Sequence, residues 1–293
     1  MNNNQTTNDG TICITYPQSG EVIESPRTKM KYTVGAIINS GFYGIVYNCW
    51  DSWGNDLALK ILKPQKSFSE LKIDHQEEYI KLSFFRHPNI TYVYDAFERK
   101  GLFYIIMERC TGTISDLLDI PKVNAKILLR HFSHSVLQAI HFIHTWNYVH
   151  LDLHIGNIFY TFVRDEVLPE DVKVLIFKVG DLGVSQPIKN LKLDNIKDEF
   201  TTTEAIEPQK FGQPDQRVDI FHLGLVFLQI LQNKKMSFTK EQILNAEPYN
   251  LALSMNSPLG NIIANTLHPY VGKRTNSALE LWTQLDKVLP KLQ

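Results

Sequence analysis

The chain has 293 residues, 43% of them hydrophobic, enough for one large domain or two moderate lobes around a substantial core and too apolar for a disordered module. Thirty basic side chains against 31 acidic ones give a formal net charge of −1, which excludes an electrostatic sponge and leaves no basic excess to announce nucleic acid or anionic membrane as a partner. The three cysteines, Cys13, Cys49 and Cys110, have no CxxC spacing and suit neither a disulfide framework nor a zinc module; they read as an intracellular setting, cytoplasmic or nuclear.

Residues 1–28 are polar and punctuated by Pro17, Gly20 and Pro26, and Met1 to Gly10 lacks the basic start and apolar run of a secretory signal. They read as a flexible lead-in with one short extended piece. Short β-rich runs follow: Tyr32 to Ile38, Gly44 to Trp50, Leu57 to Leu62, Ile90 to Phe97 and Leu102 to Glu108, interrupted by one helical segment, Ser67 to Phe85. After Glu108 apolar residues recur at three and four, predicting helices at Ser115 to Leu118, Asn124 to Trp146, Arg217 to Gln232, Pro258 to Leu267 and Ser277 to Leu289, with Ser277 as a cap. Two β runs, Ile158 to Val163 and Val172 to Val179, flank an acidic loop within this half. The longest apolar stretch, Leu223 to Leu231, is less than half of the ~20 residues that span a bilayer. The expectation is an α+β chain: a sheet-rich lobe at 29–108 with one main helix, a helical lobe at 109–293, and a ligand cleft between them.

The residues that carry chemistry are spread along both halves. Asn39-Ser40-Gly41-Phe42-Tyr43-Gly44-Ile45-Val46 lies between two predicted strands, where glycines let backbone N–H groups approach a phosphate; an ordinary hairpin has the same look. Lys60 is a charge inside the strand pattern Leu57-Ala58-Leu59-Lys60-Ile61 and needs a counter-charge when it faces inward. Glu78, on the following helix, is the suggested partner, and Glu77 competes for the role. Further on come His150-Leu151-Asp152-Leu153-His154-Ile155-Gly156-Asn157 and Gly180-Asp181-Leu182-Gly183.

In this order the residues resemble the protein kinase family, whose signatures are a Gly-rich loop, a Lys in a third strand, H-R-D-L-x-x-x-N and D-F-G. Further matches are His87-Pro88-Asn89-Ile90, Ala205-Ile206-Glu207 as the A-P-E triplet, Asp219 opening a long helix, and Arg274. The resemblance spans Ile38 to Arg274. The non-Arg residue of His150-Leu151-Asp152, and Asn157-Ile158-Phe159 with the extended loop after it, are similar to the Wee1 and Myt1 branch.

The resemblance implies ATP and Mg2+ as cofactors, a protein substrate and a monomer, with no nucleic acid or membrane as partner. Asp152 would take the proton of the acceptor hydroxyl, Asn157 and Asp181 would bind Mg2+, and Lys60, held by Glu78, would grip the phosphates. Ile38, Asn39, Ser40, Gly41 and Gly44 would line the phosphate loop. Val46 and Ala58 from above and Phe159 from below would sandwich adenine, with Glu108 and Cys110 at its edge. Met107 would guard the back of the pocket, and Leu82, Val93, His150 and Leu182 would stack to join the lobes. Glu207 would pair with Arg274, and Asp219 would hold the catalytic-loop backbone.

The chain departs from the family pattern at three positions. Asn39 replaces the first glycine of the loop. Leu151 replaces the Arg that in many kinases meets a phosphorylated activation segment, so a phosphate on Thr201, Thr202 or Thr203 would lack that guanidinium, and activity without activation-loop phosphorylation is expected. His154 stands where Ser/Thr kinases carry a Lys that contacts the transferring group, so the cation there becomes conditional on pH. The string Asp152-Leu153-His154-Ile155-Gly156-Asn157 is also similar to a segment of small-molecule phosphotransferases related to aminoglycoside and choline kinases, and a pseudokinase without chemistry is the third alternative.

Other features read as ordinary structure. His131, His134, His141, His144, His150 and His154 crowd one segment, but no acidic or cysteine partner completes a metal set. Cys110 has nothing nearby to lower its pKa. The loop between Asn157 and Asp181, about ten residues longer than in compact kinases and including Tyr160 to Asp171, reads as a tolerated surface insertion.

Overall fold

The structure, a computed structural model, describes residues 15–41, 44–63, 81, 84–120, 125–164, 172–193 and 201–290. The chain divides into two compact units, Met1–Arg86 with Thr91–Arg109, and His87–Ile90 with Cys110–Gln293.

The first unit is built on a six-stranded antiparallel sheet of order β1-β2-β3-β4-β6-β5, comprising β1 (Val22–Glu24), β2 (Lys31–Ser40), β3 (Gly44–Asp51), β4 (Asp56–Leu62), β5 (Val93–Arg99) and β6 (Leu102–Glu108). Alternation along β4 sends Leu57, Leu59 and Ile61 into one apolar core with Tyr47, Phe97 and Ile106, and turns Ala58 and Lys60 to the other face. Within that core the Phe97 ring stacks on Tyr104 with centroids 5.3 Å apart.

β1 is the short extended piece expected within residues 1–28, and because it joins the sheet at Val22, the described part of that lead-in is held by the sheet rather than flexible. Ile23 is fully buried, and β1 pairs with β2 from Val22↔Thr33 to Glu24↔Lys31. Polar contacts then carry the segment across to β5 at the far edge of the sheet. Glu21 meets Arg99 at 3.1 Å, and Arg27 and Thr28 reach Asp95 at 2.8 and 2.7 Å. A polar composition hides this, because the contacts holding the segment are made by polar side chains whose partners lie about 70 positions away, at separations of 78, 68 and 67 residues.

The second unit is mostly helical. Its Arg217–Gln232 helix is buried on every side from Val218 to Ile230, which marks it as the centre of the core. Phe227 from this helix meets Phe132, on the Ala125–Thr145 helix, edge-on at 5.2 Å, and Phe132 meets Phe177 at 5.6 Å. Ser277 caps the Ala278–Val288 helix, its hydroxyl accepting from Glu280 N–H at 3.1 Å. Three strands, β7 (Gly112–Thr113), β9 (Ile158–Arg164) and β10 (Lys173–Val179), form a sheet of order β10-β9-β7, and β8 (Tyr148–Val149) pairs with β11 (Gln186–Pro187).

His87–Ile90 is stitched into this unit although the chain on either side belongs to the other. Asn89 Nδ2 donates to Phe177 O at 3.0 Å, Val179 N–H donates to Asn89 O at 2.8 Å, and Ile90 bridges Val179. The helices Thr203–Ile206, Pro208–Phe211, Lys240–Leu244 and Glu247–Leu253 are absent from the sequence reading, being too short to establish a helical period. Most of the expected Ser67–Phe85 helix, and residues 165–171 of the long loop, lie outside the described residues. Among the described residues no helix is long and apolar enough to cross a membrane.

Candidate active site

In the first unit the β2–β3 turn closes with Gly41 N–H donating to Gly44 O at 2.9 Å. Its two glycines serve different ends. A Cβ on Gly44 would lie 2.7 Å from Ile61 O, so Gly44 is required for β3 to pack on β4, whereas nothing lies within 4 Å of a Cβ built on Gly41. The open face at Gly41 is what backbone approach to a phosphate requires.

Cross-strand neighbours share a face, and Lys60 stands opposite Val46 on β3 and Ile105 on β6, while Ala58 stands opposite Asn48 and Met107. Val46, Ala58 and Lys60 are thereby brought to one face, with Lys60 only 9% exposed. Asn39 is opposite Val46, and Ile38 falls in a bulge of β2 and is 49% exposed. Lys63, which the sequence reading passed over, donates from Nζ to Gly41 O at 2.8 Å and reaches Ser40 Oγ at 3.3 Å, tying the turn to the strand that carries Lys60. Glu108 uses its N–H on Tyr92 O and accepts Tyr92 N–H on its carboxylate, so its N–H is not what it could offer a ligand. Phe42, Tyr43, Glu77, Glu78 and Leu82 lie outside the described residues.

In the second unit a loop after β8 assembles the polar set. Leu151 has φ 69°, a left-handed backbone that costs free energy in a branched residue. Asp219, the third residue of the buried Arg217–Gln232 helix, holds it: one carboxylate oxygen accepts Leu151 N–H at 2.9 Å, and the other accepts His150 N–H and His144 Nε2, each at 2.8 Å. The expected role of Asp219 as anchor of this backbone is thus realised. Full burial pushes its carboxyl upward, but the bonds from His144 and the histidine charges outweigh that and hold it below the usual carboxylate range.

Asp152 and Asn157 meet directly. Asn157 Nδ2 donates to Asp152 Oδ2 and to Asp152 O, both at 2.9 Å. The segment at Asp181 is fixed to the same loop through its neighbour Gly180, whose N–H donates to Asn157 O at 3.0 Å and whose carbonyl accepts His150 Nε2 at 3.1 Å. Asp181 itself has φ 58°. His154 lies beside this set, its Nε2 3.8 Å from Asp152 Oδ1 and its Nδ1 accepting Gly156 N–H at 3.1 Å. Phe159 follows on β9, opposite Lys178 and Thr113.

Among the described residues no cluster of three His, Cys, Asp or Glu side chains can hold a metal alone. The residues expected to hold Mg2+ are Asn157, whose amide oxygen is turned from Asp152 because the amide nitrogen binds there, and Asp181, next to the Gly180 that bonds this loop. Two hard oxygens fit Mg2+, which usually takes one or two protein ligands and completes its shell with water and substrate phosphates.

The expected Glu207–Arg274 pair is not formed. Arg274 instead forks onto Glu204, Nη1 to Oε1 at 2.6 Å and Nη2 to Oε2 at 2.7 Å, with both side chains at 0% exposure. Glu207 meets Lys210 at the surface, 3.3 Å away. Burial raises the Glu204 carboxyl, and the Arg274 guanidinium more than reverses this. Thr203 joins the pair, donating from Oγ1 to Pro269 O and accepting Arg274 Nη2 at 2.9 Å.

The sequence matches the protein kinase domain family over residues 32–284. It is 30% identical over 199 residues to the probable serine/threonine-protein kinase zyg-1 of Caenorhabditis briggsae, covering 66% of this chain and 26% of that protein. It is 26% identical over 204 residues to the serine/threonine-protein kinases TAO3 of Xenopus laevis and TAO2 of Homo sapiens, covering 69% of this chain and 22% and 16% of theirs. The chain therefore spans about a quarter or less of the length of these relatives.

Proposed function

The chain belongs to the protein kinase family, and from that premise we propose that it transfers the γ-phosphoryl group of ATP to a hydroxyl of a protein substrate, serine or threonine in preference to tyrosine. The preference for serine and threonine is supported by the names of the relatives. The observation that carries the reading is the bond from Asn157 to Asp152, with Gly180 tying Asp181 to the same loop. Phosphoryl transfer asks a protein chiefly to align oxygens and to offset developing charge, and this loop supplies a proton acceptor and an amide oxygen in fixed relation, with Asp181 brought beside them by Gly180.

In this reading Asp152 accepts the hydrogen bond of the substrate hydroxyl and takes its proton late. Lys60 binds phosphate oxygens, and the Gly41 turn offers them backbone N–H groups. Asn157 and Asp181 hold Mg2+, which when bound supplies positive charge to the phosphates. His154, protonated, adds a cation beside the transferring group. The site acts in a monomer in an intracellular setting.

We further read the activity as independent of activation-loop phosphorylation. Leu151 is 3% exposed and packs with Val149, Val218, Val184, Ile188 and Leu191, so the chain from Val184 to Leu191 is held to the catalytic loop by apolar contact. Thr201, Thr202 and Thr203 are 6%, 0% and 1% exposed, out of reach of a modifying enzyme without local opening.

The test is incubation of the full chain with Mg2+, γ-labelled ATP and a generic protein substrate, with Asp152→Asn as control. Label on protein that vanishes in the variant supports the reading. Label only on small metabolites, or nucleotide binding without transfer, overturns it.

A further inference from the structure

The first unit holds a buried carboxylate that phosphoryl transfer does not use. Asp95, on β5, is 1% exposed, and it accepts Arg27 Nη2 at 2.8 Å and Thr28 Oγ1 at 2.7 Å from the turn before β2 and the Tyr32 hydroxyl at 3.2 Å from the start of β2. The turn is tight. Ser25, fully buried, accepts Lys29 N–H on its carbonyl at 3.0 Å and Thr28 N–H on its hydroxyl at 3.3 Å, and Lys29 has φ 61°. Thr28 nevertheless lies at the surface, flanked by Arg27, Lys29 and Lys31. Thr28, exposed as a residue, thus places its hydroxyl, which also accepts Met30 N–H at 3.4 Å, as one of the bolts on a carboxylate that is shut away from water.

We propose that Thr28 is a phosphorylation site, and that a phosphate there releases the Ser25–Tyr32 turn from Asp95. In the transfer the Thr28 hydroxyl oxygen forms a bond to the γ-phosphorus of ATP as the bond to the β–γ bridging oxygen breaks. ADP leaves with that electron pair, and the hydroxyl proton passes to the base of the modifying kinase. The ester removes the O–H that Asp95 accepts and sets a charge of about −1.5 to −2 at hydrogen-bond distance from a buried carboxylate. Arg27, whose side chain is 51% exposed, then has two anions to serve and turns to the solvated one.

The release is local. Ile23 stays buried, β1 stays paired with β2, and the Glu21–Arg99 contact is untouched, so what opens is the junction of the turn with β5. The proposal does not depend on the activity of this chain, since any kinase that accepts a threonine among basic residues supplies the step.

The experiment uses the full chain carrying Asp152→Asn, so that its own transfer, if present, plays no part. It is incubated with ATP, Mg2+ and a purified kinase specific for threonines with basic neighbours, mapped by mass spectrometry, and compared with unmodified protein by hydrogen exchange. The expected result is phosphate on Thr28 and exchange of the amides of 25–32 and 94–96 faster by on the order of 10- to 100-fold, the loss of one hydrogen bond to a charged group. Thr28→Val, which removes the donor without adding charge, should give a smaller increase in the same amides. No phosphate on Thr28 overturns the site, and a Thr28 phosphate with unchanged protection overturns the release.

Discussion

Arg274 and Glu204 face each other as a doubly bonded, wholly buried ion pair, 70 residues apart in the chain. Removing one partner leaves an uncompensated charge without water, so Glu204→Ala should cost about 3–5 kcal/mol. Glu207→Ala, at a half-exposed contact with Lys210, should stay within about 0.5 kcal/mol. Denaturant unfolding of both variants checks the contrast, and equal effects would return the role to Glu207.

Leu151 occupies the centre of the apolar cluster that holds Val184 to Leu191. Leu151→Ala should destabilise by about 2–5 kcal/mol, as expected for a buried leucine. Phosphatase treatment of the wild-type chain should leave its kinase activity intact, and complete loss of activity after that treatment would refute a segment held by packing alone.

Lys63 contributes a bond to the Gly41 carbonyl from a half-buried position. Its loss should loosen the turn without removing a reacting group, so Lys63→Ala should raise KM for ATP by about 2- to 10-fold, the worth of one ordinary hydrogen bond, with kcat little changed. A fall in kcat at constant KM would place Lys63 in the transfer step itself.

His154 stands 3.8 Å from Asp152 as a cation only when protonated. His154→Lys should flatten any decline in rate between about pH 6.5 and 8.5. An unchanged profile in the variant would remove His154 from the account.

Asp95, Asp219 and Glu204 are all held below their ordinary values, 3.8 for the aspartates and 4.5 for the glutamate. For Asp95 burial works the other way, and the bonds from Thr28, Arg27 and Ser25 overcome it. The unfolded chain therefore binds protons more readily than the folded one. The stability from these groups is full above the ordinary values and is lost as pH falls through the depressed ones. Unfolding midpoints should hold from neutrality to about pH 5 and drop steeply below about pH 4, a drop that Asp95→Asn should make shallower at the expense of stability at neutral pH.

How much of this was legible in the sequence depends on whether the signal was local. The strands around Lys60, the Arg217–Gln232 helix and the Ser277 cap follow from alternation, period and cap chemistry over a few neighbours. Asp152, Asn157 and Asp219 were found because residue identity and spacing together specify a loop. The Glu204 position was missed because Ala205-Ile206-Glu207 imitates the triplet three residues on, and only burial tells the two glutamates apart: Glu204 is 1% exposed. The turn on Asp95 was missed for the related reason that its charged residues, solvent-facing by composition, find partners only in three dimensions. Lys63 was passed over because a lysine just past a strand carries no signal in the sequence of what it reaches.

The excursion of His87–Ile90 has a practical meaning for anyone dissecting the chain. A single cut cannot yield two self-sufficient halves. A fragment ending at Arg109 carries Asn89 and Ile90 away from Phe177 and Val179, and one starting at Cys110 leaves those strand groups with no tenant. Fragments mixed after separate expression should therefore regain structure together that neither reaches in isolation.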